Sequence, residues 1–346
     1  MGQARETVAP SGKRCLLDLR RIASDGEQGR RFHALVSLLE RGGYEISMVP
    51  NLQFLQSGHR KFKASALTSV RPFCEDELPA DFGPFDLCLS DRRGEHPRAK
   101  RTINVLTGIR SPLECDDLGM PYSFFPAVWD QREDNRFDEY RRQSRVWRLF
   151  FGGHCSEASY RGIKQYTRLS PVDRYSVVCE MNRYFAGSTL EIGSDRQLDS
   201  ALQTRHESFV MIDNAKYRTA ETRWLGLLAR SDFFLAAPGC DYPLSHNAIE
   251  AIAVGTIPVL EYESLFTPAL RDGENCITYR KIDGLRHAAA RVETMSQHEI
   301  ARMRGSVIEY YETHLSPTAF CRQLEAPDVR RLHLFPYLTP AAKQAA

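Results

Sequence analysis

The residues whose types and spacing could do chemistry together are Ser245, His246, Asn247 and Glu250, with Gly239 shortly before them. On a helix, Glu250 falls four residues after His246 and three after Asn247, so the three side chains share one face. Ser245 suits an N-cap, and the backbone N–H groups of a first turn beginning there would point outward at the positive end of the helix dipole. An anion, above all a phosphate, is the ligand such a helix start favours. The carboxylate one turn below could not hold that phosphate. It could accept hydrogen bonds from the ribose hydroxyls of a nucleotide whose diphosphate sits at the helix start. The same spacing also fits a capping box, in which Asn247 and Glu250 serve only backbone N–H groups. Spacing alone leaves both readings open.

These side chains need a frame, and the flanking sequence predicts one. Residues 232–237 form an apolar run of strand length, 238–245 are rich in turn formers, 246–254 are alanine-rich with Gly255 as a stop, and 256–260 are apolar again. Strands alternating with helices imply a parallel sheet with right-handed crossovers. Ligands of such sheets lie outside the carboxyl ends of the strands, which points to the loop 238–245. Upstream, a strand over 146–151 runs into Gly152 and Gly153, where missing side chains let backbone approach a ligand.

The stretches SDFFLAAPG and SHNAIEAIAVGTIPVLEY resemble the donor-binding half of the exostosin-like glycosyltransferases, and more broadly the nucleotide-sugar transferases of GT-B architecture. RVWRLFFGGHCSEASYRG, residues 145–162, is similar to the segment that opens the same half, and the resemblance covers roughly 146–279. It implies an α/β fold of two Rossmann-like domains with parallel sheets facing across a cleft. The implied activity is metal-independent, inverting transfer of a sugar from a nucleotide-diphosphate donor of UDP or GDP type to a glycan or glycolipid, with no other cofactor and a place in polysaccharide biosynthesis. The donor would meet Gly152, Gly153, Arg161, Lys164, Gly239, Ser245, His246, Asn247 and Glu250, with the turn 272–275 beside the base. Exostosins commonly carry arginine next to the helix start; His246 and Asn247 stand there instead.

An inverting transfer also needs a base for the acceptor hydroxyl. In GT-B folds it comes from the first domain, where Asp25 and Glu27 follow the first strand and Asp91 the third. A retaining enzyme would need none. Two other readings keep the same helix start: a nucleotide-sugar 2-epimerase, and a non-catalytic nucleotide- or glycan-binding protein.

The chain has 346 residues, 42% hydrophobic and 26% charged, which is room for two domains of ordinary globular composition. A net charge of +2 gives no basic excess of the kind nucleic-acid binders show. Nine scattered cysteines form no CxxC pair, so a disulfide or zinc framework is not expected, and metal ligands are not assigned. The first residues lack the apolar core of a signal peptide and no run of 18 apolar residues occurs, so a cytoplasmic protein is expected. A glycolipid acceptor would seat it at a membrane surface; the oligomeric state stays open. The expected organisation is a disordered tail at 1–13, an acceptor-side Rossmann-like domain at 14–125, a crossing at 126–145, a donor domain at 146–315 and a returning helix at 316–346. In the first domain, strands are expected at 15–19, 44–49, 85–90 and 102–106, with a helix over 29–41.

Overall fold

A computed structural model describes residues 12–21, 29–56, 61–75, 82–107, 113–161, 172–240 and 242–334. Asp25, Glu27 and Lys164 lie outside the described residues. The chain divides into two compact units, Met1–Pro126 with Leu315–Leu338, and Ala127–His314 with Thr339–Ala346.

The first unit opens with β1 (Lys13–Asp18), α1 (Arg30–Arg41), β2 (Tyr44–Met48), α2 (Leu52–Gln56), α3 (Lys61–Leu67) and β3 (Arg71–Pro72). It continues with β4 (Leu87–Ser90), β5 (Thr102–Leu106) and β6 (Asp117–Gly119). The second unit holds α4 (Pro126–Asp130, starting at the boundary), α5 (Phe137–Arg142), β7 (Trp147–Gly153), α6 (Glu157–Tyr160), α7 (Arg174–Tyr184), β8 (Leu190–Glu191), α8 (Asp195–Ala201) and β9 (His206–Asp213). Then come α9 (Trp224–Ala229), β10 (Ser231–Leu235), α10 (His246–Ala253), β11 (Ile257–Leu260), β12 (Ile277–Thr278), α11 (Lys281–Thr294) and α12 (Gln297–Tyr310). Finally α13 (Pro317–Leu324) and β13 (Arg331–His333) belong to the first unit.

Each unit is built on one parallel sheet, in the order β3-β2-β1-β4-β5-β13-β6 in the first and β12-β11-β10-β7-β9-β8 in the second. The two α/β domains with parallel sheets read from the sequence are therefore present. The central strands bury both faces, which is why WRLFFGG and SDFFL read as mainly apolar runs instead of alternating ones. Residues 126–145, read as a crossing, pack within the second unit: Arg141 Nε donates to Ala253 O at 2.9 Å, and the ring of Phe137 meets Tyr311 edge-on at 5.6 Å. Arg145 is buried and donates to Leu228 O, Val254 O and Thr256 Oγ1, closing the carbonyl ends of α9 and α10.

In the first unit, α1 is covered on nearly all sides. Its residues from Arg31 to Leu39 are buried, and Gly42 ends it against α13, where a Cβ would run into Sγ of Cys321. Gly42→Ala is expected to lower stability by about 1–3 kcal/mol through overpacking. Urea unfolding checks this: adding Cys321→Ala should recover much of the loss, and an additive double mutant would refute the packing account.

Candidate functional site

The second sheet changes winding direction between two adjacent strands. From β7 the chain moves through β8 and β9 on one side, and from β10 through β11 and β12 on the other. Connections leaving the carboxyl ends of β7 and β10 therefore part, which opens a crevice where ligands of open parallel sheets bind. Gly152 and Gly153 end β7, and residues 236–245 leave β10, so the segments singled out in sequence flank one crevice.

Space explains the glycines. A Cβ on Gly152 would stand 2.5 Å from Cζ3 of Trp224 and 2.8 Å from Cζ of Phe150. On Gly239 it would collide with Tyr242 O, because the loop folds back with Gly239 N donating to Pro243 O at 2.9 Å. Gly153 is the bare floor: a Cβ there would lie 3.8 Å from Asn247 Nδ2 and 3.6 Å from Arg174 Nη1.

Ser245 is the N-cap of α10, in extended conformation, but makes no side-chain cap bond. The capping box is not formed. Asn247 reaches across the crevice, Nδ2 donating to Gly152 O at 3.4 Å, while its Oδ1 is buried and has no partner among the described residues. Glu250 is fully buried. Its Oε2 accepts from Trp224 Nε1 at 2.6 Å, and His246 Nδ1 lies 3.1 Å from both carboxylate oxygens. The carboxylate thus sits beneath the helix start, behind the imidazole.

The cation of the crevice is Arg174, which the sequence reading did not single out. It is 7% exposed; Nε donates to Pro238 O at 2.8 Å, Nη1 to His154 O at 3.2 Å and to the Tyr160 hydroxyl at 3.1 Å, and the guanidinium lies 4.5 Å from the Tyr160 ring centre. One side chain ties the connection after β7 to the connection after β10. Its partners among the described residues are neutral, so its charge is left for the crevice. The sequence did carry a signal: Arg174 directly follows Asp173, the side-chain N-cap of α7, and a cation in a first turn opposes the helix dipole. Arg161, expected here, is exposed and paired with Glu157 one turn away. Nearby, burial foremost and then Asp213 push the Cys155 thiol up to about 12, so it offers no nucleophile.

In the first unit, Asp91 follows β4 at its carboxyl end and is 3% exposed. Its Oδ2 accepts from the backbone N–H groups of Arg20 and Arg21 at 2.9 and 2.7 Å. Through that oxygen it pins the turn after β1. The turn expected beside the nucleotide base, 272–275, precedes β12, and so lies at the amino end of its strand, away from the crevice; Arg302 Nη2 donates to Gly273 O and Arg291 pairs with Asp272. Among the described residues no group of three or more His, Cys, Asp or Glu is arranged to hold a metal, and no helix is long and apolar enough to cross a membrane.

No protein-family model matches the chain, and no curated protein matches it in sequence. Solved structures similar to it include a glycosyltransferase from Rickettsia africae, at 7% identity and a TM-score of 0.47 over 90% of this chain and 97% of that one. HepE of Anabaena in complex with UDP aligns at 10% identity and a TM-score of 0.45, over 90% and 98%. The N-terminal domain of trehalose-6-phosphate phosphatase from Candida albicans aligns at 10% identity and 0.44, over 93% and 97%. Likeness of this degree speaks to neither activity nor substrate.

The geometry separates the two arginines. Arg174→Ala should lower the unfolding midpoint, since it strips donors from buried carbonyls, a cost of about 1–3 kcal/mol. Arg161→Ala should leave the midpoint unchanged; equal effects in a thermal melt would contradict the assignment. Asp91→Ala should likewise cost about 1–2 kcal/mol by releasing two backbone donors. A variant as stable as the parent would show that Asp91 is not a pin.

Proposed function

We propose that the chain is a glycosyltransferase of GT-B type, whose second unit binds a nucleotide-diphosphate sugar and whose first unit serves a glycan or glycolipid acceptor. The observation that supports it most is the crevice between β7 and β10. There a bare glycine floor, an α10 start with no side-chain cap at Ser245 and the buried charge of Arg174 converge on one space.

The chemistry follows from those parts. As the glycosidic bond to the diphosphate breaks, negative charge grows on the leaving phosphate, and fixed donors already in place stabilise it without reorganisation. The first-turn N–H groups of α10 and the Arg174 guanidinium would supply that stabilisation without a metal. Gly153 lets the phosphate close on the backbone, and Gly239 keeps the second loop folded beside it. Asn247 Oδ1, buried without a partner, would accept from a hydroxyl of the donor, since leaving such an acceptor unmet costs about 1–3 kcal/mol. For an inverting reaction the base would come from Asp25 or Glu27, with Asp91 holding the turn that leads to them. The protein would act in the cytoplasm, at a membrane surface where the acceptor is a glycolipid.

The test is a thermal-shift screen with UDP, GDP, CDP, ADP and dTDP, with and without divalent metal. UDP or GDP should stabilise the protein without metal, by about 2.7 kcal/mol at a hundredfold excess over Kd. Silence from all five would overturn the reading. With the matching donor, slow hydrolysis should disappear in Asp25→Ala or Glu27→Ala while the melting temperature stays put; activity surviving in both would remove them as bases.

A further inference from the structure

Trp224 and His246 meet at the buried carboxylate of Glu250, in a relay whose order of dependence can be read from geometry. Trp224 is fixed first: its ring lies 5.9 Å from Phe150 and 6.1 Å from Phe234, and it fills the space that a side chain on Gly152 would need. An indole N–H can only donate, and it donates to Glu250 Oε2 at 2.6 Å. Glu250 is therefore held by a residue of a different helix, α9.

An ionised carboxylate can only accept, and a fully buried one must have donors. With Nδ1 of His246 at 3.1 Å from both oxygens, an ionised Glu250 requires the hydrogen on that nitrogen to face it. The ring is thereby set in one orientation and one tautomer at the first position of α10, where its side chain is 32% exposed. A carboxylate or amide partner that fixes a histidine through its far nitrogen is a general way to aim the near one.

We infer that Glu250 is a positioning residue and not the contact to the ribose, and that the imidazole of His246, aimed by Glu250 and Trp224, meets the diphosphate of the donor alongside Arg174. The inference rests on the reading of the crevice as a nucleoside-diphosphate site. It assigns Trp224, the first residue of α9, to the positioning of a ligand contact. It also accounts for histidine standing next to this helix start.

Two measurements test it on the full chain. Nitrogen-15 spectra of the ligand-free protein at neutral pH should show His246 carrying its hydrogen on Nδ1 in the parent; a ring protonated on Nε2 alone would overturn the relay. Titration with UDP and GDP then compares the parent with Glu250→Gln, Trp224→Phe, His246→Ala and the Glu250→Gln/His246→Ala double variant. Trp224→Phe keeps a packed ring and removes only the donor. Each single substitution should weaken the diphosphate about tenfold, the scale of one charge-assisted hydrogen bond, and Glu250→Gln should add nothing once His246 is alanine. Additive losses would mean that Glu250 touches the nucleotide directly, and an unaffected His246→Ala would remove the imidazole as a contact; either sinks the inference. Should neither diphosphate bind the parent, the nucleotide reading fails and the proposed ligand contact with it, while the spectra still decide whether Glu250 and Trp224 set the ring.

Discussion

When every strand of a sheet runs the same way, each connection must cross back over a face, and the loops leaving the carboxyl ends collect on one edge. In the second unit that rule meets one exception in direction, since the crossovers after β7 and β10 leave to opposite sides. No other adjacent pair in this sheet has a gap above it for the same reason. The glycines, the helix start and the buried arginine all sit where that single topological choice leaves room.

Room at the end of a buried strand has a cost, because backbone polar groups and charged side chains there are removed from water. The chain meets it with cations that donate to carbonyls. At the amino end of the sheet Arg145 closes the last turns of α9 and α10; at the carboxyl end Arg174 joins Ala237 and Pro238 to His154. The two differ in consequence. Arg145 faces helix C-termini, whose dipoles already favour a cation, whereas Arg174 stands at a helix N-terminus among neutral partners and leaves positive potential in the crevice. Elsewhere the same sheet pairs its buried acid: Asp232 lies between Arg205 and Arg304 at its amino end.

What the sequence revealed follows the range of its signals. Apolar runs such as CLLD and SDFFL, and the helical spacing of Phe32, Leu35, Val36 and Leu39, are local, and the strands and α1 lie where they predict. The β13 strand, only Arg331 to His333, is too short and too charged to show a period, yet it enters the first sheet between β5 and β6 because backbone pairing asks little of its side chains. The need for glycine was legible where backbone decided, as at Gly152 and Gly239. Partners far along the chain were not legible: Asp91 accepts from the amides of Arg20 and Arg21, and the crevice holds an arginine whose carbonyl partners lie 20 and 64 residues away.

Glu250 shows the same limit most sharply, because its spacing was read correctly and its partner was not. Four residues after His246, it had to share a face with the imidazole, and it does. Spacing could not show that Trp224, from a different helix, would claim the other side of the carboxylate. That choice has physical weight. A leucine at this position would carry no desolvation cost, so stability alone gives no reason for a buried acid. A carboxylate placed between the Trp224 indole and the His246 ring does what an apolar side chain cannot: it offers the neighbouring imidazole a hydrogen-bond partner that orients the ring. The cost of burying Glu250 is thus set against the orientation it gives to His246 at the start of α10.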